Sequence, residues 1–423
     1  MNHSLKRSRL ALAIASPALL GSLVAALPAT VHAEVLVPIK LYGFLNAEIE
    51  QVQAKGGTTP YQSRGRVTDG NSRLGITGAF TVNDRLKAIW QLEGSLNSFD
   101  QGGTDDLGKS QTLTSRNSFV GLEDVQLGRF LVGNYDSAYR SLVGSGGEMG
   151  GNLGLSVTGL DLWNNTSAQL TGNSYSVFSR GESRYKNSVH YFSPELMGFS
   201  AAASYGFDES RNAGLNRGRM SLALKYRNGP LQLGVAVDQQ QSTGVDIEHL
   251  QQGFGFRTMG QDGANTRFVK LVGSYKFPTG TYLGAGVEQA SYGFTEFVPP
   301  SGTNFYPVLN SGRMKQTGTM LSLAQEFGHA TLMFSAGQLS KLDKAVFGNE
   351  DDYKATQFSL GAKYKLNDTL TAYTYFTRIR NKPQQSANLG QTPLYSVGSG
   401  TADAYLSPGD SPRAIGVGLI ANF

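Results

Sequence analysis

Cysteine is absent from the whole chain of 423 residues. Without it the protein has no disulfide bridge, no thiolate metal ligand and no thiol nucleophile. Histidine is also scarce, with five residues, and no pair of them has a metal-binding spacing such as H-x-x-x-H. The composition therefore offers little material for a metal centre or a catalytic triad, and we expect neither an enzyme nor a cofactor.

Long apolar runs are missing after residue 33, so no later segment approaches the ~20 residues of a membrane-spanning helix. The segment before it has a basic start, an apolar run and a small-residue ending: Lys6, Arg7 and Arg9, then residues 10–26, then Ala33. This order is typical of a secretory signal peptide. We predict that residues 1–33 are removed and that residues 34–423 form one domain. A membrane anchor is disfavoured because Pro17 interrupts the short apolar run.

Both the content of charged residues and the net charge of the chain are low. Charged residues make up 16% of the chain, compared with about 25% in an average globular domain. The formal net charge is +5, and it falls to +2 when the three basic residues of the predicted signal peptide are lost. Such near-neutrality gives no support to nucleic-acid binding. Glycine, in contrast, is abundant, with 53 residues.

What the chain does contain is repeated alternation with a period of two residues. In residues 199–208, 220–226 and 357–366, apolar side chains alternate with small or polar ones. Alternation of this kind is typical of β-strands, and an apolar face opposite a polar face suits a barrel with lipid outside and water inside. A chain that crosses a bilayer without helices must close into a barrel, because lipid offers no partner for unpaired backbone groups.

Short turn signals and long polar segments follow one another in strict alternation. Seven tight turns are predicted at residues 82–84, 123–126, 194–198, 227–230, 277–280, 327–329 and 367–368. Eight long loops are predicted near residues 54–70, 99–113, 136–183, 209–217, 243–265, 294–314, 342–354 and 382–411. Fifteen connections join sixteen strands. We therefore predict an all-β fold, a sixteen-stranded antiparallel transmembrane barrel with short periplasmic turns and long external loops.

Several segments of the predicted barrel resemble strands of the Gram-negative general porins, most closely those of the β-proteobacteria. The matching segments are Leu41-Tyr42-Gly43-Phe44, Ser72-Arg73-Leu74-Gly75-Ile76-Thr77-Gly78, residues 86–93, residues 115–122 and Tyr185-Lys186-Asn187-Ser188-Val189. Their order and spacing extend over nearly the whole predicted mature chain. The resemblance implies a homotrimer in the outer membrane of a Gram-negative bacterium, with the third external loop folded into the barrel to narrow the pore.

The resemblance also implies a charged constriction. The third loop would span residues 136–183, and its Glu148-Met149-Gly150-Gly151 resembles the family's acidic loop tip. Glu148 is therefore the expected acidic residue of the constriction, and Asp161 is a second candidate. The basic wall is expected from the residues at matching positions: Arg73, Arg116 and Lys186. A carboxylate that faces cations across confined water creates a transverse field, which orients dipolar solutes and opposes apolar ones.

Alternation along the third predicted strand identifies further lumen-facing candidates. If its apolar side chains face outward, then Lys87, Gln91 and Glu93 face the lumen. An inward arginine is compatible with two roles, because it can select ions or hold the loop by pairing with a carboxylate. Both roles stay open from the sequence.

Aromatic residues and departures from the family pattern qualify this prediction. Trp90, Tyr373 and Tyr375 are interpreted as girdle residues at the membrane interfaces rather than as a sugar-binding track. Asn134 stands where the family usually has an arginine, and Phe44 stands where some relatives have a lysine. These differences argue against strong anion selectivity.

The function predicted from the sequence is passive diffusion of small hydrophilic solutes and ions, with a weak to moderate anion preference. Outer-membrane lipid and lipopolysaccharide are the expected surroundings, and no metal or nucleic acid is expected as a partner. A substrate-specific channel for a small anion or nutrient is the alternative. A filled, structural barrel is disfavoured because about eight strands suffice to fill a lumen with side chains, whereas sixteen leave an aqueous channel.

Overall fold

The computed structural model describes residues 39–68, 72–96, 116–143, 183–209, 216–243, 264–294, 312–345, 348–389, 393–398 and 405–423. The strands within these ranges are β1 (Lys40–Lys55), β2 (Tyr61–Thr68), β3 (Arg73–Thr81), β4 (Leu86–Ser95), β5 (Ser118–Asp124), β6 (Gly128–Asp136), β7 (Arg184–Phe192), β8 (Phe199–Gly206), β9 (Arg219–Asn228), β10 (Leu231–Gln240), β11 (Thr266–Lys276), β12 (Thr281–Phe294), β13 (Gly312–Phe327), β14 (Ala330–Leu339), β15 (Ala355–Lys365), β16 (Leu370–Asn381) and β17 (Ser411–Asn422). Two 3-10 turns are also described, Arg140–Leu142 and Glu350–Tyr353. In the described part of the chain, no helix has the length and apolar character needed to cross a bilayer.

The strands form one antiparallel sheet that closes on itself. Successive strands pair with each other except β2 and β3, which both pair with β1, and β1 also pairs with β17 along residues 44–55. β2 and β3 act as one interrupted strand, because β2 pairs with residues 48–54 of β1 and β3 pairs with residues 40–44. The closed barrel therefore has sixteen strand positions, which confirms the number predicted from turns and loops.

The two faces of the barrel differ in polarity. In β9, Leu222 and Leu224 point outward and are 51% and 45% exposed, whereas the neighbouring Ser221 points inward and is 1% exposed. The pairing register extends this orientation to adjacent strands, since Ser221 lies beside Ser204 of β8 and Asp238 of β10. The predicted alternation is thus confirmed, with an apolar outer surface and a polar lumen.

The seven predicted tight turns all lie between consecutive strands, at one end of the barrel, which we call the turn end. Short polar side chains accept backbone N–H groups in three of them, at Asn83, Asp124 and Asn367. The Oδ1 of Asn83 accepts the backbone N–H groups of Arg85 and Leu86 at 2.9 Å, and Asp124 accepts that of Gln126 at 2.8 Å. Side chains of this kind replace backbone partners in a turn. The opposite end, the loop end, carries the long connections.

The first long loop is shorter than predicted. Instead of an irregular segment over residues 54–70, β1 continues to Lys55 and the chain returns as β2 from Tyr61 to Thr68. The Nε2 of Gln51 donates to Ser63 Oγ across this hairpin at 2.8 Å. A polar hairpin that extends a barrel into water lacks the apolar face on which strand prediction depends, so the sequence pattern resembles that of a loop.

Candidate functional site

The loop that follows β6 turns into the barrel. We call its described start, residues 137–143, the inward segment. The backbone N–H of Ala138 donates to Ser204 Oγ at 2.9 Å, and that of Tyr139 donates to Ser221 Oγ at 3.4 Å. Both serines face the lumen, so the segment lies against the inner wall of β8 and β9. The inward course of the third loop is therefore confirmed for its described start, and residues 144–182 lie outside the described residues.

Tyr139 continues this contact to the wall formed by β11 and β12. Its hydroxyl donates to Glu288 Oε2 at 2.5 Å, and the Lys270 ammonium lies 4.0 Å from the centre of its ring. Lys270 and Glu288 are paired across the two strands. The inward segment therefore reaches from β6 to β12, and a cation–π contact together with a charge-assisted hydrogen bond holds it there.

A glycine on β10 permits the close approach of the segment to the wall. A Cβ atom on Gly234 would lie 3.0 Å from Leu142 Cδ2, which is tighter than ordinary van der Waals contact. Leu142 itself is fully buried. The small residue on the wall and the leucine on the segment are therefore complementary in shape.

A buried ion pair forms the first part of the charged wall. The Nε of Arg116 donates to Glu93 Oε1 at 2.7 Å, and the Tyr42 hydroxyl donates to Glu93 Oε2 at 2.9 Å. The guanidinium carbon of Arg73 lies 4.8 Å from the centre of the Phe44 ring. The positive charge of Arg73 is close enough to Arg116 to repel it. The structure thus brings together Arg73, Glu93 and Arg116, three of the predicted lumen residues.

A second ion-pair group adjoins the first, at the root of the inward segment. Asp136 Oδ1 lies 2.7 Å from Arg140 Nε and 3.1 Å from Arg184 Nε. Asn117 links the group to β5, because its Nδ2 donates to Asp136 Oδ2 and its Oδ1 accepts from Arg184 Nε, each at 3.0 Å. The positive charge of Arg140 is also close enough to Arg116 to repel it.

We call Arg73, Arg116, Arg140 and Arg184 the arginine cluster. Among the described residues, it sets four guanidinium groups against two carboxylates, Glu93 and Asp136. Guanidinium groups stay protonated even when they lie close together, so within this described group positive charges outnumber negative ones.

Two other predicted lumen residues lie on the same strand as Glu93. Gln91 faces inward and its Nε2 donates to the backbone oxygen of Asn117 at 3.1 Å, next to the arginine cluster. Lys87 shares this orientation by register, but it is exposed and lies near the turn end. Gln91 is therefore close to the cluster and Lys87 is not.

Lys186 occupies a bulge. Between the paired residues Gly133↔Ser188 and Tyr135↔Tyr185, β7 has one residue more than β6, and Asn187 adopts a φ of 47°. Tyr185 points inward and is buried, whereas Lys186 is exposed. Among the described contacts none joins Lys186 to the arginine cluster, and its part in a constriction stays a prediction. Glu148 and Asp161 lie outside the described residues.

Sequence reasoning missed Asp136, Arg140 and Arg184 as members of the charged site. One signal was available, since Asp136 and Arg140 are four residues apart at the start of the predicted inward loop. Arg184 lies at the end of the same loop, directly before the segment that resembles the family. The two roots of an inward-folded loop must lie side by side, so charges there can be expected to pair.

A separate acidic group lines the lumen where β1 meets β16 and β17. The Tyr375 hydroxyl lies 2.6 Å from Glu48 Oε1 and 2.8 Å from Glu50 Oε2, and Tyr373 also contacts Glu48. Arg66 pairs with Glu50 at 2.6 Å. Tyr373 and Tyr375 are 5% and 2% exposed on the inner face, so their interpretation as girdle residues was wrong. Aromatic and aliphatic side chains occur on both faces of β16, with Tyr375 and Ile379 inward and Leu370 and Phe376 outward. The sequence of this strand therefore does not indicate which face is turned to the lumen.

A serine–histidine contact also lies on the inner wall. His190 Nε2 is 2.8 Å from Ser188 Oγ, and its Nδ1 is 2.8 Å from Ser204 Oγ. A nucleophilic serine must be accessible and its histidine must be oriented by a further acceptor. Here Ser188 is 2% and His190 is 1% exposed, and Ser188 also donates to backbone oxygen. The contact therefore stabilises packing between β7 and β8.

Metal binding finds no support in the described residues, where no three His, Cys, Asp or Glu side chains converge on one point.

Comparisons with known proteins agree with this geometry. The family model of the Gram-negative porins matches residues 18–384. An outer membrane porin of Bordetella pertussis is 26% identical over 333 residues, which is 73% of this chain and 77% of that protein. Among solved structures, the anion-selective porin from Comamonas acidovorans is similar with a TM-score of 0.66 at 20% identity, covering 92% of this chain and 100% of the other. The trimer form of OmpT from Vibrio cholerae gives a TM-score of 0.60 at 15% identity, with 92% and 99% coverage.

Proposed function

The chain belongs to the Gram-negative porin family of the outer membrane, and from that premise we propose that it forms a trimer of water-filled channels with a weak to moderate anion preference. Small hydrophilic solutes and ions diffuse passively through each barrel. Residues 1–33 serve as the signal peptide that directs the chain to secretion.

The arginine cluster is the single observation that carries the anion preference. In the described part of the wall, four guanidinium groups stand beside two carboxylates next to the root of the inward segment, so positive charge is in excess within this group. In a narrow, water-filled passage the local charge decides which ions enter, whatever the net charge of the whole protein. The two paired carboxylates reduce the excess, which keeps the preference moderate.

Lipid and partner subunits cover the outer surface. The outward side chains of the described strands are largely apolar, as Leu222, Val120 and Val417 illustrate with 51%, 66% and 57% exposure in the isolated chain. Apolar area on this scale requires lipid or protein contact. The trimeric OmpT relative supports three copies, and lipopolysaccharide forms the outer leaflet around them.

A substrate-specific channel is the second candidate. A phosphate channel requires a continuous ladder of lumenal cations, and a sugar channel requires a track of lumenal aromatic residues. In the described part of the lumen, cations and aromatic residues are interspersed with serine, glutamine and carboxylates, as along β15, where Lys363 and Lys365 share the inner face with Gln357 and Ser359. This mixture favours general diffusion.

Liposome swelling separates the two candidates. The refolded protein is reconstituted into liposomes, and swelling is recorded in a series of uncharged sugars and in a series of small anions. General diffusion predicts swelling rates that fall smoothly with solute size. Rapid uptake of one solute, with saturation and with exclusion of others of equal size, would instead identify a specific channel.

A further inference from the structure

A cleft of about 810 Å³ lies at the loop end of β14, β15 and β16, and we call it the basic cleft. The charged residues of its lining are all cationic: Lys341, Lys354, Arg378, Arg380 and Lys382. Neither aspartate nor glutamate lines it among the described residues. The basic cleft therefore offers positive charge to a ligand that enters it.

The basic cleft is on the outer surface of the barrel and not in the lumen. Along β16, Tyr375, Thr377 and Ile379 point inward and are fully buried. Successive side chains of a strand point to opposite faces. Arg378 and Arg380 therefore point outward, and Arg380 is exposed. A ligand of the basic cleft would lie beside the barrel wall, outside the path of diffusing solutes.

An apolar band lies next to the basic cleft, on the side of the turn end. On β16, the outward Phe376 precedes Arg378 by two positions, or about 7 Å along the strand. The ring centre of Phe376 is 5.6 Å from that of Phe358 on β15. On β17, Ile415 and Val417 are exposed. Acyl chains cover the apolar band of a membrane barrel, so the basic cleft lies at the level where lipid head groups meet water.

Carboxylates neutralise only part of this positive charge. Two lysines of the basic cleft form ion pairs of 2.6–3.0 Å, namely Lys341–Asp343, Lys341–Glu350 and Lys354–Asp351. Arg378 is paired in register with another arginine, Arg413 of β17, which is also exposed. Like charges directly opposite each other on neighbouring strands are destabilising. Among the described residues, no carboxylate forms an ion pair with Arg378, Arg380 or Arg413.

Exposed cations at the turn end are arranged differently. Each has an acidic neighbour within 3.1 Å, in the pairs Arg85–Asp124, Lys276–Glu326 and Lys365–Asp368. These pairs leave no excess charge of either sign. In the described part of the chain, unneutralised cations on the outer face of β16 and β17 therefore distinguish the loop end from the turn end.

We propose that the basic cleft binds a phosphate group of lipopolysaccharide in the outer leaflet. Guanidinium groups present paired N–H donors that suit phosphate oxygens. The acyl chains of the same molecule lie along Phe358 and Phe376, a contact that a soluble phosphate lacks. The anionic group also relieves the repulsion between Arg378 and Arg413. The inference rests on that part of the proposed function which surrounds the barrel with lipopolysaccharide, and it does not require an open channel.

The test measures binding of purified lipopolysaccharide to the refolded, lipid-free protein in detergent by native mass spectrometry. We expect saturable binding to the wild type. The double variant Arg378→Gln, Arg380→Gln is expected to bind roughly 10- to 30-fold more weakly, because two cations near an anionic head group are lost. Lys276→Gln with Lys365→Gln is the matched control, which removes two charges at the turn end and is expected to keep wild-type affinity. Equal affinities in all three proteins would overturn the proposal.

Three further ligands, each tested on the wild type, identify the group that is recognised. Dephosphorylated lipopolysaccharide is expected to bind as weakly as the glutamine variant, and equal binding with and without phosphate would overturn the proposal. Inorganic phosphate and the deacylated, phosphorylated oligosaccharide are expected to compete poorly. Full displacement of the lipid by either of them, at a concentration equal to that of the lipid, would show a site for soluble phosphates instead.

The charge-conserving pair Arg378→Lys, Arg380→Lys separates the loss of charge from damage to the fold. We expect it to keep affinity within about three-fold of the wild type, since a lysine near an anionic head group contributes about as much as an arginine. Loss of binding as severe as in the glutamine variant would contradict the role of charge. A wild-type protein that conducts but does not bind lipopolysaccharide would contradict this inference alone. One that binds the lipid but does not conduct would contradict the proposed channel alone.

Discussion

The hydroxyl of Tyr139 donates a 2.5 Å hydrogen bond to Glu288 Oε2, and this bond attaches the inward segment to the far wall at β12. Both residues are fully buried. Bonds to a charged acceptor contribute more than neutral ones, about 1.5–3 kcal/mol. The phenolic hydroxyl of Tyr139 is therefore one of the contacts that hold the inward segment against the inner wall.

Tyr139→Phe is expected to loosen the inward segment. The ring and its contact with Lys270 are retained, but the carboxylate of Glu288 loses a donor. We expect more open-channel current noise and a lower temperature for the heat-dependent shift in gel mobility. Tyr191→Phe is the matched control, since that hydroxyl donates at 2.8 Å to Leu127 O on the exposed surface. Equal noise and equal heat stability in the two variants would refute the attachment.

Arg184→Gln tests the arginine cluster. The substitution removes one positive charge. The carboxylate of Asp136 keeps a cationic partner, because Arg140 still lies 2.7 Å from it. We expect the reversal potential in a salt gradient to move toward zero and the conductance to change little. Arg85→Gln serves as the control, because Arg85 pairs with Asp124 in an exposed turn. A reversal potential equal to that of the wild type would show that the cluster is structural only.

Glu148→Gln tests the prediction made for the third loop from the sequence. If Glu148 supplies the acidic side of the constriction, the loss of its charge shifts the reversal potential further toward anions. Glu148→Asp retains the charge and is expected to behave as the wild type. An unchanged reversal potential in the glutamine variant would remove Glu148 from the constriction.

Tyr375→Phe tests the acidic group at the β1–β16 wall. The hydroxyl lies within hydrogen-bond distance of both Glu48 and Glu50, and without it two buried carboxylates lose their shared donor. We expect a loss of stability of about 1–3 kcal/mol, measured by urea unfolding of the reconstituted barrel. Tyr364→Phe, which alters an outward ring that is 51% exposed, is the control. Identical unfolding midpoints would contradict a stabilising role.

The barrel itself could be predicted from the sequence because its signals are local. Alternation places Leu222 and Ser221 on opposite faces, and turn residues such as Asn83 bond to backbone groups only two or three positions away. Each signal can be recognised in a short window. The number of strands then follows from counting turns and loops.

The lumenal networks could not be predicted in the same way, because their partners are distant in sequence. Tyr375 meets Glu48 across 327 positions, and Tyr139 meets Glu288 across 149. Such contacts depend on barrel closure and on the register of several strands. The burial of Leu389, in the loop between β16 and β17, has the same origin, since a polar, glycine-rich sequence gives no indication of which surface it will cover.

Reversal potential under a salt gradient, recorded for the refolded wild-type protein in planar bilayers, tests the proposed function most directly. We expect ohmic currents that close in three steps, with a modest reversal potential of the sign that indicates preference for anions. A preference for cations would contradict the role given to the arginine cluster, and the absence of any conductance would contradict an open channel.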